Sequence, residues 1–190
     1  MPAYVQSFNT ILAIGTILLQ VVFVFFLFVL IFKRNRENSI LLFFKQNTFL
    51  FVFLLGLGGV ALSLFYSDII GFPACELCVK QRLFIYPQAL IFGYLVAKPL
   101  SKFKNQIVSI GTMLATAGSL VSMFHIYVEN GGESGLACAS DSITAVTCSA
   151  RYVYEFGYVT IPVMALTTSL LILLLLLNYR YISPLKSITK

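Results

Sequence analysis

Charge is scarce in this chain. Seven acidic and thirteen basic residues make up 11% of its 190 positions, while 59% are hydrophobic; an ordinary soluble domain has about a quarter charged residues. So few polar groups cannot cover a water-soluble globule of this size. The composition instead fits a helical membrane protein, in which about 20 apolar residues cross a bilayer of about 30 Å. Tryptophan is absent, and histidine occurs once, at His125. No internal repeat is visible, and low complexity is confined to the Leu-rich end of the chain. No basic segment precedes the first apolar run, which is too long for a signal peptide and ends in Lys33, Arg34 and Arg36; it is expected to stay in the mature protein as a span. The net charge of +6 would suit nucleic acid, but in a membrane protein the placement of charge reports orientation, so no nucleic-acid partner is expected.

Five segments are expected to span: 11–32, 47–66, 82–98, 107–128 and 157–179. Ten of the thirteen basic residues fall on one side of them: Lys33, Arg34, Arg36, Lys45, Lys98, Lys102, Lys104, Arg180, Lys186 and Lys190. The other side keeps Lys80, Arg82 and Arg151, with six of the seven acids. The positive-inside rule then places the N-terminus outside, the C-terminus in the cytoplasm and all four cysteines outside, where disulfides persist.

The third segment looks short, since the uncharged residues 83–97 give only about 22 Å of helix. The deficit disappears if the helix begins near Cys75. Pro73 suits a helix entrance, and Pro87 is tolerable inside a membrane helix. Cys75 and Cys78 then occupy the first turns. Arg82 lies four residues beyond Cys78 on the same face, where a guanidinium and a helix N-terminus stabilise a thiolate.

Taken alone, a Cys-x-x-Cys fits a redox dithiol, a structural bridge or half a zinc site. Haem attachment is disfavoured because Val79, not His, follows Cys78. The second pair, Cys138 and Cys148, lies in a loop rich in Gly, Ser, Ala and Thr, with nine residues between the two. Zinc held by all four cysteines is disfavoured, because there is no tight second pair and no outer His at finger spacing; no metal is expected.

Pro73-Ala74-Cys75-Glu76-Leu77-Cys78-Val79-Lys80-Gln81-Arg82, then Tyr86-Pro87, then two helices around a two-cysteine loop together resemble the DsbB family. These membrane quinone reductases reoxidise DsbA, a thioredoxin-fold thiol oxidase, and so keep a bacterial periplasm oxidising. The resemblance covers residues 47–180. It implies an all-α, DsbB-like four-helix core at 47–182 with outer loops 67–82 and 129–156. To this are added an N-terminal transmembrane helix and cytoplasmic loop at 1–46 and a cytoplasmic tail at 183–190. The whole would be a five-span, N-out/C-in protein of the bacterial cytoplasmic membrane. The first helix is additional to the family's four, and the cysteine loop is shorter than in its best-known members.

Carried over by position, the resemblance implies disulfides Cys75–Cys78 and Cys138–Cys148 and a quinone cofactor, ubiquinone or menaquinone. Cys78 would form the adduct or charge-transfer contact with the quinone ring. Arg82 would stabilise the thiolate and the developing oxyanion. Cys138 would take the attack of the DsbA-like partner, and Cys148 would exchange with Cys75. His125 lies on a helix face with Gly111, Ala115, Gly118 and Ser122, small residues that usually mark close helix packing; the resemblance adds a quinone hydrogen bond or proton relay. The aromatic segment 151–158 reads as an interfacial piece with no catalytic role. Two rivals remain. A VKOR-like quinone reductase would place the quinone-facing pair after the loop pair in sequence, whereas here it comes first. A non-catalytic subunit stapled by two disulfides would give Arg82 no reason to sit one turn from Cys78.

Overall fold

The computed structural model describes residues 3–32, 39–98, 103–133, 138 and 147–182. They form six α-helices: α1 (Ala3–Phe32), α2 (Ser39–Gln46), α3 (Thr48–Leu64), α4 (Glu76–Ala97), α5 (Lys104–Glu129) and α6 (Ile161–Ile182). A π-turn over Phe65–Ile69 closes α3. Among the described residues the only strand-like pairing is one isolated bridge between Glu155 and Val159.

Four helical stretches are long and apolar enough to cross a membrane: Tyr4–Phe32, Thr48–Ile69, Lys104–Glu129 and Ile161–Tyr181. The expected third span exists as α4, which has the length, 22 residues, but carries Glu76, Lys80, Gln81 and Arg82 in its first two turns. It does not reach the apolarity of the others, so four of the five expected spans stand by length and composition. The segment expected as a plain loop after the first span contains α2, whose Leu41 is buried and whose backbone carbonyl accepts a bond from Asn178 of α6. The expected tail, 183–190, lies outside the described residues.

The helices alternate in direction, so one end of the bundle gathers the cysteines and the other an apolar core. That core joins Phe26 and Val29 of α1, Val52 of α3, Phe92 of α4, Val108 of α5 and Leu176 of α6. Small residues set the helix spacing. A Cβ at Gly56 would lie 3.1 Å from the Ala89 backbone, so α3 and α4 touch nearly backbone to backbone. A Cβ at Gly111 would meet the Phe92 ring at 2.7 Å, which fixes α5 against α4. The small-residue face of α5 is thus a packing seam, with Gly111, Ala115, Gly118, Ser122 and His125 all buried. Towards the cysteine end the seam turns polar, where the Gln81 amide donates to the Ser122 hydroxyl at 3.1 Å.

Candidate functional site

The N-terminus of α4 builds the site. Cys75 is its N-cap, in extended conformation, and its sulfur accepts from the Cys78 backbone N–H at 3.3 Å. The cysteine therefore takes the place of a capping Ser or Asp, and helix N-terminal N–H groups favour negative charge there. Its sulfur lies 2.7 Å from that of Cys78, close enough for small rotations to close a bond of about 2.05 Å; the two are unbonded here. On its other side, Cys75 Sγ lies 3.6 Å from His125 Nε2. Hydrogen bonding from Cys78, opposed by burial and aided by the His125 ring, holds the Cys75 thiol well below the ordinary cysteine range. The N-cap position and His125 favour a thiolate at Cys75, while Arg82 stands one turn beyond Cys78.

The second pair is joined: Cys138 and Cys148 form a disulfide. Cys148 is 3% exposed and packs in one cluster with Cys75, Leu77 and Val128, while Cys138 is only partly buried at the edge of that cluster. Two clips hold this arrangement down. Arg151 donates to the Glu129 carbonyl at 2.9 Å and to the Asn130 side chain at 2.8 Å. The Thr160 hydroxyl donates to the Glu129 carboxylate at 2.7 Å. The end of α5 therefore receives the chain on its way into α6, with Cys148 in the same buried cluster as Cys75. Of the expected outer loop, residues 134–137 and 139–146 lie outside the described residues.

Cys78 packs against that cluster and also lines a cavity of about 120 Å³. Its walls are largely apolar, with Leu62 of α3, Ile85 of α4 and Met164 of α6. Arg82 lines it too, and one guanidinium nitrogen donates to the Ser63 carbonyl at 3.4 Å. Among the described residues, Arg82 Nε and the Tyr86 hydroxyl are buried without a hydrogen-bond partner, and both residues border this cavity. Unpaired buried donors are costly, and at a cavity wall they mark places where a ligand's acceptors fit. Three rings line another wall: Tyr66 stacks on Phe72 with centroids 5.9 Å apart, and Phe72 on Tyr152 at 4.8 Å. A flat, mostly apolar molecule with acceptor atoms at its edge, such as a quinone ring with its two carbonyls, suits this lining.

All six expected site residues meet at one end of the bundle, and four of them border cavities. Cys78 and Arg82 line the large one. His125, with Cys75, Cys78 and Glu129, lines a small one of about 20 Å³; the ring faces the Cys75 thiol and does not border the larger cavity. Sequence reasoning gave no site role to Tyr66, Phe72, Tyr86, Tyr152 or Glu129. Tyr86 stood only as part of the motif, and Tyr152 only within the aromatic segment 151–158. Glu129 read as one more loop acid, though it is buried.

Comparison with known proteins bears on the same residues. The family model for disulfide bond formation protein DsbB matches residues 45–178, a stretch that holds both cysteine pairs and leaves all of α1 outside. A protein of Oceanobacillus iheyensis named "Probable disulfide formation protein" is 34% identical over 145 residues, covering 75% of this chain and 88% of that protein. "Disulfide bond formation protein C" of Bacillus subtilis is 33% identical over 112 residues, covering 59% of this chain and 77% of its own length. No solved structure matches. With four apolar membrane-length helices and two cysteine pairs at one end, the chain is a multi-pass membrane protein of the DsbB family, with a redox role in disulfide bond formation.

Proposed function

We propose that this protein reoxidises a DsbA-like thioredoxin-fold thiol oxidase outside the bacterial cytoplasmic membrane and delivers the two electrons to a membrane quinone. One observation carries the reading. The buried member of the loop pair shares one buried cluster with Cys75, and Cys78 of the helix pair lines an apolar cavity with unpaired donors. This supports a path in which the loop pair, the helix pair and the cavity act in series. The order of charges along the chain supports an N-out/C-in arrangement, with α4 crossing as a fifth helix whose Gln81 and Arg82 find partners on α5 and α3.

Each transfer is a thiolate attack through a mixed disulfide. The partner's thiolate attacks Cys138, the more accessible sulfur, and Cys148 leaves as a thiolate. The partner's second thiol then closes the partner's disulfide and frees Cys138. Cys148 next attacks Cys75 in its disulfide, displacing Cys78; attack of Cys138 on Cys148 restores the loop bridge and releases Cys75. The helix N-terminus and His125 stabilise Cys75 as leaving group. Arg82 and Tyr86 are the donors that orient a quinone's carbonyls, and a quinone bound there supplies the two-electron, two-proton acceptor that returns Cys75 and Cys78 to the disulfide. Preorganised positive charge in a site of low dielectric is most effective where negative charge develops, which assigns that role to Arg82.

The test is to follow quinone absorbance in purified protein as a reduced thioredoxin-fold partner is added. Stoichiometric quinone reduction with oxidation of the partner is expected. Oxidation of the partner without any quinone reduction would sink the reading, as would cysteines inert to the partner; the latter is the behaviour of a stapled subunit.

A further inference from the structure

The dithiol and the histidine have a geometry that electron transfer alone does not require. The sulfurs of Cys75 and Cys78 and a ring nitrogen of His125 all lie within 4.8 Å of one another. In a tetrahedral zinc site, with Zn–S of about 2.3 Å and Zn–N of about 2.0–2.1 Å, a sulfur and a nitrogen on adjacent corners are about 3.6 Å apart. The Cys75 Sγ to His125 Nε2 distance is 3.6 Å. The two sulfurs, at 2.7 Å, need to open to about 3.8 Å for the same geometry. Side-chain rotation at the N-cap and in the first turn of α4 suffices for that, and repulsion between two thiolates favours it.

The surroundings favour a cation of this class. Two thiolates cancel the charge of a dication, so no net charge is buried, and sulfur with imidazole suits zinc or cadmium over magnesium or calcium. Cys75 and His125 are both buried. His125 Nδ1 has no hydrogen-bond partner among the described residues, so the ring is committed to no other contact through that atom. Glu129, one helical turn on, borders the same small cavity but is not among the clustered ligand atoms, so a water would complete four ligands.

We propose that the reduced form of this protein carries a site for a zinc-class dication formed by Cys75, Cys78 and His125, and that the oxidised form does not. Binding displaces whatever thiol protons the pair still holds and moves no electrons. Oxidation to the disulfide removes both thiolates and with them the site. The cation therefore competes with quinone for the reduced dithiol, a competition that rests on the proposed electron path, whereas the site itself does not.

Cadmium uptake by the full-length protein tests the site without partner or quinone. The protein with Cys138→Ala and Cys148→Ala, reduced by a phosphine, is titrated anaerobically with Cd²⁺ while thiolate-to-cadmium absorbance and released protons are recorded. One Cd²⁺ per chain is expected, with fewer than two protons released wherever Cys75 is already a thiolate, with zinc displacing cadmium, and no uptake after oxidation. His125→Ala should weaken binding by about tenfold or more, the least that losing even a ligand's supporting group costs. Its helical content and thermal unfolding show whether it remains folded, and His125→Cys should keep tight binding if the position is a ligand. Equal affinity in the wild type and His125→Ala, or no uptake by the reduced protein, would overturn the site. Uptake that leaves quinone-driven reoxidation at its normal rate would overturn the competition.

Discussion

The two cysteine pairs use the same chemistry in opposite settings. Cys75–Cys78 is built into a helix start, with backbone N–H groups, His125 and Arg82 around it, so its geometry is set by packed helices. Cys138–Cys148 is carried by the connection between α5 and α6, held down by Arg151 and Thr160 on Glu129. The difference is one of access. On the proposed electron path, the pair that meets another protein keeps one sulfur near the surface, while the pair that meets a molecule in the bilayer is set into a wall. Cys148 would mediate, because it belongs to the loop by sequence and to the buried cluster of the helix site by packing.

Serine replacements break this comparison most severely. Any one of the four cysteines changed to Ser should abolish sustained turnover with partner and quinone, but with different accumulating species. In Cys78→Ser, the free Cys75 thiol should attack its buried neighbour and form a Cys75–Cys148 bridge, releasing Cys138. Peptide mapping without reduction identifies it. A Cys75–Cys138 bridge as the main product would mean that the packing of Cys148 on Cys75 does not set the order of exchange.

Arg82 belongs to the helix-bound pair alone, so its loss should spare the loop pair. Arg82→Met removes the charge, the bond to Ser63 and the unpaired Nε together. Quinone reduction should fall by about a hundredfold, in the range for removing a preorganised donor. Arg82→Lys keeps the charge but not the planar fork, so it should lie between. Transfer from the partner to the loop disulfide, measured in a single turnover, should be unchanged in both. Equal steady-state rates in all three folded proteins would reduce Arg82 to an anchor.

The helix-bound pair also depends on α1, which lies wholly outside the family match. The Tyr66 hydroxyl donates to Asn9 Oδ1 at 2.8 Å in a buried bond, and Tyr66 begins the ring stack along the cavity wall. Asn9→Leu and Tyr66→Phe should each raise KM for quinone by about fivefold, the equivalent of about 1 kcal/mol for a buried hydrogen bond, with little change in kcat. The double variant should be no worse than either single one. Additive effects would show that α1 and the cavity are independent.

These dependences differ in how far the sequence exposed them. The helix start at Cys75 was legible, because Pro73 and the shortness of the third apolar stretch both pointed there. The α5 seam was legible from its small residues at helical spacing. The side of the dithiol that His125 faces was not, since it depends on the rotation of α5 against α4. Nor was the Asn9–Tyr66 bond, whose partners are 57 positions apart and meet only once α1 has packed. The burial of Cys148 depends on Arg151 and Thr160 finding the end of α5. Local pattern thus exposed the elements and the chemistry, and tertiary packing decided which thiol carries the charge.

The smallest expected effect concerns that charge. In the reduced protein, Cys75 is held below the ordinary thiol range by Cys78 and then by His125. Its thiolate should therefore persist as pH falls through the usual cysteine value of about 8.5. Because the folded pKa is depressed, the reduced fold gains stability above the unfolded value and loses it as pH falls through the folded one. Ultraviolet thiolate absorbance of the reduced Cys138→Ala, Cys148→Ala protein measures the midpoint directly. His125→Ala should move it upward, towards the ordinary range but not fully to it, because Cys78 and the helix N-terminus remain. Cys78→Ser in the same background should move it further, since the neighbouring thiol is the larger cause. A midpoint unmoved by His125→Ala, with the helical fold intact, would leave the helix start and Cys78 as the whole basis of the thiolate and deprive the histidine of any part in exchange.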